Sequence, residues 1–434
     1  MPVPADPAPE NAPQTRPGST SAWGALRQMG PWSGLFVLLC VATFFEGFDT
    51  KLASFVQPVI RDDFGASVGE VGTAVGISSF GMVLAFFVIL LADTIGRRPV
   101  FLAGLAAYAV FTFATAFAPD LATFTVLQFF GRMAMVVELF LAYLILSEEM
   151  PAEIRGRVNG IFASTAAFGA AIPAALLAPL QTMGVGWRGL FLIGALPILL
   201  FPLYYFRIKE TRAFQERTDV HKSYGEDFRR IARSLWHSEH RGRLIRMSSL
   251  WLAINFWSGT AMYFFTTYVY DERGWTPEDL QLLPWGTIPV GLAGYIYSGF
   301  LMDRIGRRPA ASVYFVAAFL ATLLCYRSTE DWAIYLGFFL LFGMNGVWVI
   351  VTTWTTELFP TETRATALAI ANNLVGRMGL VFGPIVAGLL SESWASPSLA
   401  ISALSLVTLA ILPVVWSLPE TNGIELRAEE ADAV

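Results

Sequence analysis

Asp93-Thr94-Ile95-Gly96-Arg97-Arg98-Pro99 recurs as Asp303-Arg304-Ile305-Gly306-Arg307-Arg308-Pro309, 210 residues further on. The spacing of Glu148, Pro151 and Arg155 returns in Glu357, Pro360 and Arg364 at an offset of 209. Glu210-Thr211 returns as Glu420-Thr421. Three coincidences at nearly one offset mark a tandem duplication, so the fold is built from one structural unit used twice.

What lies between the repeated motifs says what kind of unit it is. Charged residues make up 15% of the 434, against about 25% in ordinary soluble chains, and hydrophobic residues 55%, with 35 Phe and 13 Trp. A water-soluble fold has no place for so much apolar surface. The composition therefore points to an all-α integral membrane protein in contact with the lipid bilayer, and excludes intrinsic disorder as the general state. A formal net charge of −5 gives no basic footprint for nucleic acid. Cys40 and Cys325 both lie in apolar runs, and the three histidines, His221, His237 and His240, share one polar stretch. Neither residue type offers a disulfide framework, a metal site in the membrane or a resident cofactor.

A hydrocarbon core of about 30 Å takes about 20 helical residues to cross. That ruler predicts twelve spans, at 33–58, 69–91, 99–118, 121–146, 158–182, 187–206, 247–270, 281–301, 309–327, 332–356, 365–390 and 398–418. They divide into two six-helix bundles, 31–206 and 247–418, joined by a polar, basic linker over 207–246. Within the linker, Tyr224–Trp236 alternates basic and apolar residues, the pattern of a short interfacial helix. Residues 1–30, rich in Pro, Ala and Ser, read as a disordered tail, and 419–434 as a second tail. With both termini cytoplasmic, 22 of the 29 Lys and Arg fall in cytoplasmic segments and four in outer loops. That is the positive-inside bias of a multi-pass protein of the cell membrane.

At the repeated loops the sequence resembles the major facilitator superfamily of secondary transporters, from about Leu35 to Gly423. Pro419-Glu420-Thr421-Asn422-Gly423 is similar to the sugar-porter and organic-ion branch. Glu46-Gly47-Phe48-Asp49-Thr50 is similar to the start of the aromatic-acid and metabolite proton symporters, where Asp-Gly-x-Asp is usual. There are two departures. Ile89 stands where the first loop motif usually has Gly, although Gly299 keeps it in the second half, and Met133-Ala134-Met135-Val136-Val137-Glu138 replaces the usual small-residue ladder after Arg132. The resemblance implies twelve helices in two pseudo-symmetric bundles with a substrate cavity between them near the bilayer midplane. It also implies that the loops gate the cytoplasmic side through Asp93, Gly96, Arg97, Arg98, Glu148 and Arg155, with Asp303, Gly306, Arg307, Arg308, Glu357 and Arg364 as their repeats. Arg pairs also serve topology alone, so that second reading stands beside the gate.

Charged residues inside the spans carry the remaining signal. Glu46 and Asp49 lie three residues apart, on one helix face and about 4.5 Å apart along the axis. A carboxylate in hydrocarbon is costly, so it faces a cavity, finds a partner or takes up a proton. The pair is the candidate proton-coupling group; the alternative is a fixed salt bridge that sets helix packing. Lys51 lies near the opposite face from Asp49 and is expected to snorkel to the outer surface. In span 4, Arg132 must be balanced by an acid or an anion, while Glu138, about 120° away round the helix, is not its direct partner. Arg132 opposite Glu46 or Asp49 would let substrate and proton compete; a static ion pair is the other reading.

In span 11, Asn373 and Arg377 lie one turn apart, suited to a carboxylate. Glu46 maps under the repeat onto Asn255, so the acid belongs to the first half and a neutral amide to the second. This asymmetry predicts proton handling by Glu46, Asp49, Arg132 and Glu138. Substrate contact then falls to Arg132, Asn255, Tyr263, Asn345, Trp348, Asn372, Asn373 and Arg377, although polar residues in a bundle also simply join helices. Trp187, Trp251, Tyr270, Trp332 and Trp416, near span ends, are expected as interfacial anchors. The expectation is a monomeric alternating-access carrier, not an enzyme, for protons and a small organic anion. A proton-driven exporter of organic cations and a non-transporting sensor are the alternatives.

Overall fold

The computed structural model describes residues 33–150, 152–215 and 240–422, with residues 230, 233, 235 and 236 between them. The tail expected over 1–30, most of the linker including its Tyr224–Trp236 helix, and the end of the chain beyond Asn422 lie outside the described residues. So do the side chains of Asp93 and Arg155.

The described chain is helical throughout, and its helices fall where the twelve spans are expected. Span 1 is Ser33–Phe64, span 2 Val68–Ile89, span 3 Arg97–Thr115, span 4 Leu121–Glu149, span 5 Ala152–Thr182 and span 6 Gly186–Arg207. Span 7 comes in two pieces, Arg241–Ala261 and Phe265–Arg273; span 8 is Leu283–Ile305, span 9 Arg307–Arg327 and span 10 Asp331–Leu358. Span 11 runs from Thr361 to Ser393 and span 12 is Pro397–Ser417. Nine of these are long and apolar enough to cross a membrane by length and composition alone. The others are span 1, which carries Glu46, Asp49 and Lys51, and spans 7 and 8.

Local chemistry sets the ends. Ser67 caps span 2 in a reciprocal capping box with Glu70, and Asp120 caps span 4 by accepting from the Thr123 N–H at 2.7 Å. Span 11 departs from α-helix at Ala369–Gly376, where the chain winds as a π-helix and the Arg377 N–H reaches the Asn372 carbonyl. Such wide turns favour functional sites.

Within each half, span 1 lies on span 5, span 4 on spans 2 and 3, span 7 on span 11, and span 10 on spans 8 and 9. Between the halves, span 2 meets span 11, span 5 meets span 8, and span 1 meets the second piece of span 7. Spans 2 and 11 touch through glycine. A Cβ on Gly72 would lie 2.6 Å from the Pro384 carbonyl, and one on Gly76 2.5 Å from that of Val381.

The apolar core divides unevenly. Near the Arg-paired loops each half has its own, around Phe101, Tyr108, Leu141 and Tyr204 in the first and Trp251, Tyr314, Trp354 and Leu358 in the second. At the opposite end one core runs across both, through Phe48, Phe55, Trp187, Trp257, Phe264 and Tyr268. Polar bridges reinforce that end. Arg61 donates to both Asp271 oxygens at 2.5 and 2.9 Å, Thr266 to the Ser54 carbonyl at 2.5 Å, and Ser67 and Gly69 to Glu392 at 2.9 and 3.0 Å. The halves are therefore fastened at the end away from the loops.

Two expectations about aromatic anchors fail here. Trp187 and Trp251 are buried, donating to Asp63 and Thr355. Their indole N–H groups find partners among the helices, whereas Trp332 and Trp416 are exposed as anchors would be.

Candidate functional site

Span 1 carries its two acids into the interior. Glu46 and Asp49 are buried, and Glu46 accepts from the hydroxyl of Thr50, one turn on, at 2.9 Å. One Asp49 oxygen has no hydrogen-bond partner. Glu138 is fully buried with neither oxygen bonded, close enough to Glu46 for the two to repel.

Cations face these acids without closing on them. Arg132 is buried, donates to the Ser79 hydroxyl at 2.7 Å and lies over the Tyr263 ring at 5.7 Å. It attracts Asp49 electrostatically, as Arg377 in the other half attracts Glu46. Arg377 donates from Nε to Asn373 Oδ1 at 3.2 Å. Among the described residues neither arginine is ion-paired with a carboxylate. The interior thus holds buried acids with free oxygens beside the buried Arg132 and the half-buried Arg377, both with free donors.

The second half supplies amides. Asn255 donates to the Trp251 carbonyl at 2.9 Å and leaves its Oδ1 unbonded; Asn372 Oδ1 and Trp348 Nε1 are also buried without partners. Gly376 brings the π-turn against these groups, since a Cβ there would lie 2.8 Å from Trp251 Cβ and 3.3 Å from Asn255 Nδ2. Asn345 donates to the sulfur of Met262 at 3.5 Å, and the Tyr263 hydroxyl to the Thr50 carbonyl at 3.4 Å.

Lys51 contradicts its expected role. Its Nζ donates to Met262 Sδ at 3.6 Å and lies over the Phe342 ring at 5.5 Å, so it points into the second half and not towards a headgroup. A neighbouring helix face outcompetes the surface for its reach.

The loops form two matching knots. The Glu210 carboxylate accepts the N–H groups of Arg97 and Arg98 at 3.0 and 3.3 Å, and Glu420 those of Arg307 and Arg308 at 2.8 and 2.9 Å. Each carboxylate caps the start of span 3 or span 9, where the N–H groups are unsatisfied by the helix. Arg97 reaches Glu148 at 3.3 Å; Arg307 forks onto Glu357 at 2.9 and 2.7 Å. Arg98 binds the carbonyls of Ile208 and Tyr205, and Arg308 that of Leu418. Gly96 and Gly306, at φ +106° and +93°, make the turn. Asp303 is exposed and lies 3.5 Å from Arg307 of its own loop, while Arg364 Nε is buried without a partner.

The family model described as Major Facilitator Superfamily matches residues 39–294 and 252–432. The chain belongs to the major facilitator superfamily. Its curated relatives are transporters, not enzymes. The niacin transporter NiaP of Acinetobacter baylyi is 27% identical over 416 residues, covering 88% of this chain and 93% of that protein. The cis,cis-muconate transport protein of the same organism is 26% identical over 370 residues, covering 83% and 88%. In fold, this superfamily member is similar to the inward-open xylose transporter XylE from E. coli. The TM-score is 0.72 at 16% identity, with 92% of this chain and 98% of that one covered.

Sequence reasoning passed over several residues of this superfamily member. Glu210 and Glu420 were visible only as a repeated Glu-Thr pair, because the partner N–H groups are 113 residues away. Ser79 and Met262 carried no signal, being ordinary residues of a span.

Proposed function

We propose that the chain is a proton-coupled symporter of a small organic anion, an aromatic or other carboxylate. The observation that carries this reading is the uncommitted charge in the interior. Arg132 and Arg377 are ion-paired with no described carboxylate, while Asp49 and Glu138 keep oxygens without partners. A buried cation with spare donors suits an anionic cargo and opposes an organic cation. Substrate carboxylate on the arginines leaves Glu46 and Asp49 to carry protons; when it departs, the acids regain the cations. Asn255, Tyr263, Asn345, Trp348, Asn372 and Asn373 supply the neutral contacts, and Glu138 a further proton position. The relatives named for niacin and for muconate, both carboxylates, support this class.

With the Arg-rich loops and both termini in the cytoplasm of a cell-membrane monomer, the fastened end is the outer one and the conformation faces inward. The bundles 31–206 and 247–418 then rock about the fixed site. The tails 1–30 and 419–434 and the linker 207–246 stay cytoplasmic. The loop residues Gly96, Arg97, Arg98, Glu148 and Arg155 with Asp93, and their repeats Gly306, Arg307, Arg308, Glu357 and Arg364 with Asp303, gate the inner side by changing partners between states.

The test is accumulation of labelled nicotinate, muconate and benzoate in proteoliposomes under an inward proton gradient. Gradient-driven accumulation of one of them, abolished in Glu46→Gln while anion exchange persists, is expected. Wild-type protein that accumulates none, or Glu46→Gln that accumulates normally, overturns the coupling.

A further inference from the structure

Met262, in the turn that splits span 7, has a sulfur that receives three donors from three helices. Lys51 Nζ reaches it from span 1 at 3.6 Å, Asn345 Nδ2 from span 10 at 3.5 Å and Ser258 Oγ from its own span at 3.5 Å. A thioether is a weak acceptor, and an ammonium group is a strong, hydrated donor. Among the described residues Lys51 has no carboxylate partner. Its other neighbours are aromatic faces, Phe342 at 5.5 Å and Tyr263 at 6.0 Å, both from the second half. The Tyr263 ring also carries Arg132 at 5.7 Å, so two cations share one ring. Asn345 Nδ2 also donates to the Leu341 and Phe342 carbonyls at 3.1 and 3.2 Å. The group short of acceptors is therefore Lys51, whose one hydrogen bond among the described residues is to sulfur and whose surroundings are rings.

From this imbalance we infer that Lys51, with Asn345, binds the substrate carboxylate, which takes the place Met262 Sδ holds at the donors, while Tyr263 and Phe342 bracket an aromatic ring attached to it. The inference rests on the organic-anion reading above, adds Lys51 and Asn345 to Arg132, which lies over the same Tyr263 ring, as carboxylate contacts, and favours carboxylates that carry an aromatic ring. It also gives the cargo a mechanical role. Lys51 belongs to span 1, and Asn345, Met262, Tyr263 and Phe342 belong to the second half, so a bound carboxylate joins the two bundles beside the fastened end. An aromatic amide of the same shape has no charge to offer Lys51 and gains nothing from it.

The experiment measures equilibrium binding of benzoate and of its neutral isostere benzamide to the purified full-length protein. Wild type is expected to prefer benzoate. Lys51→Gln should lose about tenfold or more of that preference, whereas Lys51→Arg, which keeps the charge, should retain most of it. Met262→Gln places a carbonyl oxygen among the donors, a better internal acceptor than sulfur, and should weaken benzoate; Met262→Leu should not. Unchanged preference in a folded Lys51→Gln overturns the inference, as does unchanged benzoate affinity in Met262→Gln should the lysine variant fail to fold. Wild type that binds no ring carboxylate also overturns it. Gradient-driven uptake of an anion by Lys51→Gln with undiminished benzoate preference would sink this assignment alone and leave the symport reading standing.

Discussion

Glu420 accepts the backbone N–H of Arg307 at 2.8 Å across 113 residues, and Glu210 accepts that of Arg97 at 3.0 Å across the same separation. One carboxylate after the last helix of each half caps the third helix of that half. The duplication therefore preserves a fastening and not just a motif. It ties the loop between the second and third helices to the end of the sixth in both halves.

The glycine of each loop is needed twice, for its backbone angle and for the room it leaves. A Cβ on Gly96 would lie 2.3 Å from Glu210 Oε2, and one on Gly306 2.8 Å from Glu420 Oε2. Gly306→Ala and Gly96→Ala are each expected to cost about 1–3 kcal/mol, seen as a lowered unfolding temperature in detergent. A wild-type melting profile for Gly96→Ala would show that its carboxylate cap is not needed.

Acid should loosen the second knot. Burial by itself pushes the Glu420 carboxyl up, but the N–H groups of Arg307, Arg308, Thr421 and Asn422 outweigh it and hold the group below its usual range. A depressed acid stabilises the fold fully above its unfolded value, about 4.3, and the contribution disappears as pH falls through the folded value. Melting temperatures of wild type and Glu420→Gln should thus differ at neutral pH and converge in acid. Parallel curves would remove the carboxylate from the knot's stability.

The pair Arg61–Asp271 clamps the end away from the loops and is partly exposed, with side-chain exposures of 18% and 27%. Pairs of this kind contribute about 0.4–1 kcal/mol, a factor of about two to five in an opening equilibrium. Arg61→Asp should raise thiol labelling of Ser54→Cys, placed beneath the clamp in a background lacking Cys40 and Cys325, by about that factor. Restoration in the Arg61→Asp, Asp271→Arg double variant would tie the effect to the pair; no change in labelling would discard the clamp.

Arg377 holds Asn373 through Nε and keeps the rest of its fork free. Arg377→Lys removes the planar donor pair and should raise the half-saturating concentration for a carboxylate substrate about tenfold. Transport assays over a substrate series would read it, and an unshifted value would exclude Arg377 from substrate contact.

The positions of the spans were legible because a bilayer imposes length and apolarity on each helix, whereas their ends were not, span 1 running on to Phe64 and span 7 breaking between Ala261 and Phe265. The knots were half legible because duplication repeats their residues. Lys51 was misread. Its distance from the surface follows from the sequence, but the acceptor it chooses depends on Met262 and Phe342 of another bundle. Trp187 and Trp251 were misread for the same reason, since the indole partners Asp63 and Thr355 lie on other helices. The π-turn at Ala369–Gly376, where Gly376 passes close to Trp251 and Asn255, left no trace in hydrophobic periodicity.

The sequence by itself determined that this chain is a duplicated bundle of membrane helices with acids and cations at fixed depths, since hydrophobicity, loop charge and internal repetition are properties of the chain alone. Tertiary structure decided which charges stay apart, which end of the bundle is fastened and where donors outnumber acceptors. Those are relations between helices that meet only after each has formed, and the energy of a buried charge depends on what stands within a few ångströms of it.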